Sequence, residues 1–210
     1  MAISEQRRQK KLANKKKKRK LTARPAGDVA AAMPVASSYA QFPVHECLVP
    51  DALFDTGLGS VIWARRTPEG MIAASVFLVD VFCLGVKDAL FDVRSALDYE
   101  RRLKSRFIEI NGLQEFESLH PACVRKLIEG AVRYADTLGF SPHADYRNAK
   151  GIFCDVDAQA CPTAFAYGQH GKPFYIRGPS ESVPQATRIV KQLDRVCGTG
   201  NFNFLVASDE

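Results

Sequence analysis

The chain of 210 residues carries 29 Lys and Arg against 23 Asp and Glu, a formal charge of +6 and a sequence pI near 9.0. With 46% apolar and 25% charged residues it holds too much hydrophobic side chain for a wholly disordered, collagen-like or disulfide-stapled miniprotein, and it is long enough for one good core. The charge is divided sharply: residues 1–24 hold eleven basic side chains and one acid, Glu5, a net of +10, and the other 186 residues hold 18 basic and 22 acidic ones, a net of −4.

The basic residues of the tail are Arg7, Arg8, Lys10, Lys11, Lys15, Lys16, Lys17, Lys18, Arg19, Lys20 and Arg24. Such a segment repels itself and has nothing to bury, so residues 1–24 are expected to be disordered when free. Ten net charges can neutralise phosphates by counterion release, which makes RNA or the ribosome the expected partner. Lysine outnumbers arginine and no aromatic is interleaved, so the tail is suited to tethering rather than to reading bases. A solubilising extension and a basic import signal at 15–20 are the competing readings. No apolar run follows the basic start, which argues against a secretory signal. Residues 25–43, with Pro25, Gly27, Pro34 and Pro43, read as a linker; the folded domain is expected over 44–206, with 207–210 as a C-terminal end.

Within the domain, Val44–Val49 reads as a strand stopped by Pro50-Asp51, with one helical turn to follow at Asp51–Phe54. Val61–Arg66 is β-branched and aromatic, and Thr67-Pro68-Glu69-Gly70 has the residues of a type I turn, so a hairpin is expected with Met71–Cys83 as its return strand. That strand is apolar almost throughout, as in a central strand covered on both faces. The run Ile72–Leu84 is still too short to span a membrane, which needs roughly 20 apolar residues. Ser95 and Asp98 have helix-start spacing, and the charged stretch to Arg106 reads as a solvent-facing helix. Pro121–Leu138 has apolar residues at three- and four-residue intervals, with Pro at its start and Gly139 past its end. Ser141-Pro142 opens a short helix through Lys150, with Gly151 as its stop. Residues 165–167 and 174–176 flank a glycine-containing turn and read as a second hairpin. Ser182–Cys197 is a last amphipathic helix, and Asn201–Val206 a last strand. The fold class expected is α+β: a single domain of antiparallel hairpins packed against amphipathic helices.

Asp80 is the anomalous residue of the body, a carboxylate on one strand face with Val76, Leu78 and Phe82. Either it pins the sheet through a salt bridge or backbone hydrogen bonds, or it belongs to a site. In the second case Asp80, Asp88 and Glu46 are candidate ligands of a divalent cation for phosphodiester chemistry, with Lys87 or His143 assisting. His45-Glu46-Cys47, read as regular strand, places His45 and Cys47 on one face and Glu46 on the other. His143 and Asp145 are two apart and do not face each other on a helix. The six cysteines show no C-x-x-C pair and read as buried reduced thiols, as in a cytoplasmic protein. No glycine-rich phosphate loop is present, and no cofactor is evident.

The stretches Phe77-Leu-Val-Asp-Val-Phe-Cys-Leu-Gly-Val-Lys-Asp88, Leu138-Gly-Phe-Ser-Pro-His-Ala-Asp-Tyr146 and Tyr167-Gly-Gln-His-Gly-Lys-Pro-Phe-Tyr175 resemble a family of bacterial proteins of uncharacterised function. The resemblance implies a bacterial, cytoplasmic protein and brings no activity, cofactor or catalytic residue with it. The expectation is therefore a non-enzymatic nucleic-acid-associated protein, a basic tail tethering an acidic α+β module to RNA or ribosomes. The alternative is a metal-dependent phosphodiesterase or related hydrolase built on Asp80, Asp88 and Glu46.

Overall fold

The structure, a computed structural model, describes residues 34–110, 112, 115–179 and 181–206. The tail, the first part of the linker and the last four residues lie outside these. The body begins earlier than the linker reading places it. Residues 36–39 form a 3-10 turn with Ala36 fully buried, and the Ala36 amide donates to Asn148 Oδ1 at 3.1 Å.

An antiparallel sheet of five strands organises the body in the order β4-β3-β2-β1-β5, with β1 Val44–Pro50, β2 Leu58–Arg66, β3 Met71–Asp80, β4 Gly85–Ser95 and β5 Phe116–Ser118. A short helix α1, Leu53–Thr56, joins β1 to β2. The first four strands form a meander, and the Gly70 amide closes the expected 67–70 turn on the Thr67 carbonyl at 3.0 Å. β3 lies between β2 and β4 with both its faces covered, as its near-continuous apolar run requires. Strand β4 has no counterpart in the sequence reading. Its Lys87, Asp88, Asp92 and Arg94 break the apolar pattern because it is an edge strand, where charge discourages pairing with another chain.

Alternation sorts the side chains onto two faces. Cys47, Val49, Val61, Trp63, Phe77 and Val79 face α3, Pro121–Thr137, and the short α4, Tyr146–Ala149. Helix α3 presents Val124, Leu127, Ile128 and Ala131 to this face, the stripe its three- and four-residue spacing predicts. Arg65 is buried at the margin of this core; its guanidinium donates to the carbonyls of Ile152, Phe153 and Phe42 and lies 5.9 Å from the Trp63 ring. Leu48, Ile62, Ala64, Ile72, Ala74 and Val76 face the other way, toward α2, residues 96–110. Ser95 caps α2 as expected, its side chain accepting from the Asp98 amide at 3.1 Å. The helix is not simply solvent-facing, however, for Tyr99 and Leu103 are buried on the sheet.

Three further expectations are corrected. The helix after Ser141-Pro142 starts only at Tyr146 and continues past Gly151 as a 3-10 turn, Lys150–Phe153. The second hairpin is absent: β6, Phe174–Ile176, instead pairs in parallel with β7, Asn203–Leu205, across the intervening helix α5, Val183–Cys197. Finally, Cys123 and Cys161 form a disulfide, leaving Cys47, Cys83, Cys154 and Cys197 as thiols. Closing a loop of 38 residues removes about 4 kcal/mol of chain entropy from the unfolded state. Among the described residues no helix is long and apolar enough to cross a membrane.

Candidate functional site

Strand β3 ends at Asp80 because the chain turns there. One carboxylate oxygen accepts from the amides of Phe82 at 3.0 Å and Cys83 at 2.8 Å, so two donors of the turn are satisfied from its first residue. Val81 and Phe82 thereby join the α3 face, and Phe82 does not share a face with Val76. Asp80 is 6% exposed, and burial pushes its carboxyl up to about 6 against the opposing pull of Lys87 and the turn amides. Gly85 follows with φ of +68°. A Cβ there would lie 3.0 Å from the Ala131 carbonyl oxygen, so only glycine lets β4 start this close to α3.

The turn is a hub. The Val81 carbonyl accepts from the Gly168 amide at 2.9 Å, the Phe82 carbonyl from the Phe174 amide at 3.2 Å, and the Val86 carbonyl from the His143 amide at 2.9 Å. The stretches 77–88, 138–146 and 167–175 therefore meet at one place although about 50 and 20 residues separate them in sequence. Tyr167 seals the assembly from the far side, donating to the Leu127 carbonyl at 2.9 Å where Gly130 leaves space for its hydroxyl.

Beside the hub a cleft of about 350 Å³ opens between Leu84, Val86, Phe140 and Ile189, with Lys87, Glu181, Ser141 and His143 as its polar groups. Lys87 reaches it because β4 is bulged. Leu78 pairs with Asp88 and Val79 with Val86, so Lys87 is the extra residue and its side chain is re-aimed. Its ammonium lies 2.6 Å from Glu181, which also accepts from the Tyr175 hydroxyl at 2.6 Å and the Gly178 amide at 3.1 Å. Burial raises the Glu181 carboxyl, but Lys87 and Tyr175 outweigh it and hold the group below its ordinary range. Cys83 is no nucleophile in this setting, since burial pushes its thiol far up; the Cys47 thiol is likewise pushed up to about 12.

Lys87 and His143 thus line one cleft, with Asp88 beside His143, but they form no metal centre with Asp80. Asp80 spends its oxygen on the turn, and Lys87 is neutralised by Glu181. Asp88 is exposed, accepting from the Ala89 amide and lying 3.7 Å from His143 Nδ1. That nitrogen also lies 3.3 Å from the Asp145 amide and 3.7 Å from the Asp145 carboxylate. Glu46 is elsewhere. Through the register it lies level with Ala74, six residues from Asp80 along β3, or about 20 Å. Asp80, Asp88 and Glu46 therefore cannot share an ion.

Glu46 belongs to a second polar group on the α2 face. It accepts from the Tyr99 hydroxyl at 2.6 Å and from Lys104 at 3.0 Å, and Lys104 also reaches Glu100 at 3.3 Å. His45 stands beside it, its ring 6.1 Å from that of Tyr99. The regular-strand reading fails here because Val44 pairs with Arg65 and Glu46 with Ala64, leaving His45 as a bulge residue. The sequence reading missed Glu181, Tyr99 and Lys104. Only the Glu100/Lys104 spacing of four residues marks one of these pairs in the sequence. Comparisons of the chain with protein-family models, curated proteins and solved structures give no match in any of the three.

Proposed function

We propose that this is a non-enzymatic bacterial protein that associates with RNA or ribosomes, its N-terminal tail tethering the α+β body. The supporting observation is the segregation of charge. Residues 1–24 carry +10, whereas the described residues carry 18 basic and 19 acidic side chains, close to neutral rather than acidic, because Asp28, Asp209 and Glu210 lie outside them. Of the 18 cations of the body, Arg65 and Lys126 are held on carbonyls and Lys87, Arg94, Arg102, Lys104 and Arg125 on carboxylates. The cleft beside the Asp80 turn contributes a surface with an apolar wall and a neutralised ion pair, which suits a protein or small-molecule contact better than a polyanion.

The test is sedimentation with ribosomes or RNA, with and without nuclease. The full chain is expected to sediment in a nuclease-sensitive way, with an affinity that falls with salt by a log–log slope of roughly −0.7 to −0.9 for each phosphate engaged. Removing residues 1–24 is expected to abolish this while the buried Trp63 keeps its native fluorescence. Equal sedimentation of the two forms refutes the reading.

A further inference from the structure

The polar group on the α2 face is assembled by two departures from regular backbone geometry. On a regular strand His45 and Glu46 would point to opposite faces. The bulge at His45 makes two residues of β1 oppose one of β2 and brings both side chains to the same side. Opposite them, Tyr99–Lys104 is a π-helical turn, with the Ser105 amide bonding to the Glu100 carbonyl five residues back. Tyr99 and Lys104 are five residues apart, which on an α-helix separates them by about 140°. The wider π turn lets both reach Glu46. Bulges and π turns each mark places where a backbone is held in a less regular form for the sake of what its side chains do.

These distortions gather donor atoms. His45, Glu46 and Glu100 each offer a ligand atom, and the three atoms lie within 4.8 Å of one another, the one such group among the described residues. Its charge is incompletely balanced: two carboxylates face one ammonium, that of Lys104. Tyr99 holds Glu46 from behind through a 2.6 Å hydrogen bond, as outer partners orient a metal-binding carboxylate. His45 and Glu100 are exposed, so an ion can enter and keep water in its remaining positions.

We propose that His45, Glu46 and Glu100 bind a divalent first-row transition metal ion, with Lys104 as the internal cation that occupies the carboxylates when the ion is absent. One imidazole and two carboxylates suit zinc or its first-row neighbours, whereas magnesium and calcium prefer an all-oxygen shell. The site is separate from the Asp80 cleft and independent of the tail, so its failure leaves the RNA reading untouched. It also gives Glu46 a different set of co-ligands from the Asp80 and Asp88 that the sequence suggested.

The experiment is a calorimetric titration of the full chain with Zn²⁺, in a Cys154→Ser, Cys197→Ser background that removes the accessible thiols. One saturable site is expected, with affinity at least tenfold lower in His45→Ala and in Glu100→Gln. Both residues are exposed, and unchanged Trp63 fluorescence verifies that the variants are folded. Lys104→Met removes the competing cation and is expected to bind Zn²⁺ at least fivefold more tightly. Absence of a saturable site in both the background protein and Lys104→Met, or equal binding by His45→Ala, overturns the site. Equal affinity with and without Lys104 overturns the role given to that lysine.

Discussion

On one face of the sheet Val61, Trp63 and Phe77 are wholly buried against α3, a regular helix of 17 residues, whereas on the other Tyr99 and Leu103 come from a helix whose middle turn is π-helical. The first face is closed by aromatic packing, with Phe77 5.4 Å from Phe153 and 6.0 Å from Tyr146 between ring centres. The second buries a smaller apolar set and ends in a half-exposed group of charges around Glu46. A regular helix maximises contact along a straight stripe, and that favours stability. An irregular one gives up some contact and places side chains that regular spacing would keep apart.

The contrast can be broken most forcefully on the α3 face. Phe77→Ala is expected to cost about 3–5 kcal/mol in denaturant unfolding followed by Trp63 fluorescence, since the ring is fully buried and its neighbours cannot collapse onto the space. A cost below about 1.5 kcal/mol would mean that this face is not the stabilising core.

The Asp80 turn, at the end of that face, gives an intermediate effect with a pH signature. Asp80→Ala leaves the Phe82 and Cys83 amides without their acceptor and is expected to cost about 2 kcal/mol or more. Asp80→Asn retains an acceptor and removes the charge. The Asp80 carboxyl is pushed up to about 6 in the fold, above an ordinary value near 4, so the folded state binds this proton more tightly. Its contribution is fully present below about pH 4 and is lost as pH rises through about 6. Stability of the native protein relative to Asp80→Asn is therefore expected to fall between about pH 4 and pH 6.5. Parallel stability curves for the two proteins would contradict the burial of the charge.

The smallest effect belongs to the α2 face. Tyr99→Phe keeps the ring and removes the hydrogen bond to Glu46, with an expected cost of about 1 to 2 kcal/mol. Because Lys104 remains to neutralise Glu46, the variant should stay folded, which urea denaturation can check against Phe77→Ala under the same conditions.

Much of the scaffold was legible before any coordinates. Helices α3 and α5 declare themselves by apolar spacing, by Pro at their first turns and by glycine just beyond their ends; Ser182 and Gln185 form the capping box of α5. The β2–β3 hairpin follows from its turn residues. Strand β4 did not show itself, because edge strands carry charge where central ones carry Val and Ile. The β6–β7 pairing and the Cys123–Cys161 bridge escaped for a different reason. Both join segments brought together only by the rest of the chain, and six cysteines do not state their own pairing. At the candidate sites, Asp80 stood out as a carboxylate in apolar company, and Lys87, Asp88 and His143 do gather around one cleft. Glu46 was assigned to the wrong neighbours because a bulge, invisible in the alternation of residues, changes what lies beside it.

The sequence by itself determined the segregation of charge into residues 1–24, the α+β class, the principal amphipathic helices and the central apolar strand, because composition, capping and periodicity act between residues close in the chain. Only the tertiary structure decided which polar groups meet. Asp80 turns inward to hold its own loop, Lys87 is drawn to Glu181 across 94 residues, and His45 and Glu46 are brought to Glu100 and Lys104. Those meetings depend on strand register, on two bulges and on a π turn, each of which shifts side chains by a residue and is set by packing against distant segments rather than by local propensity.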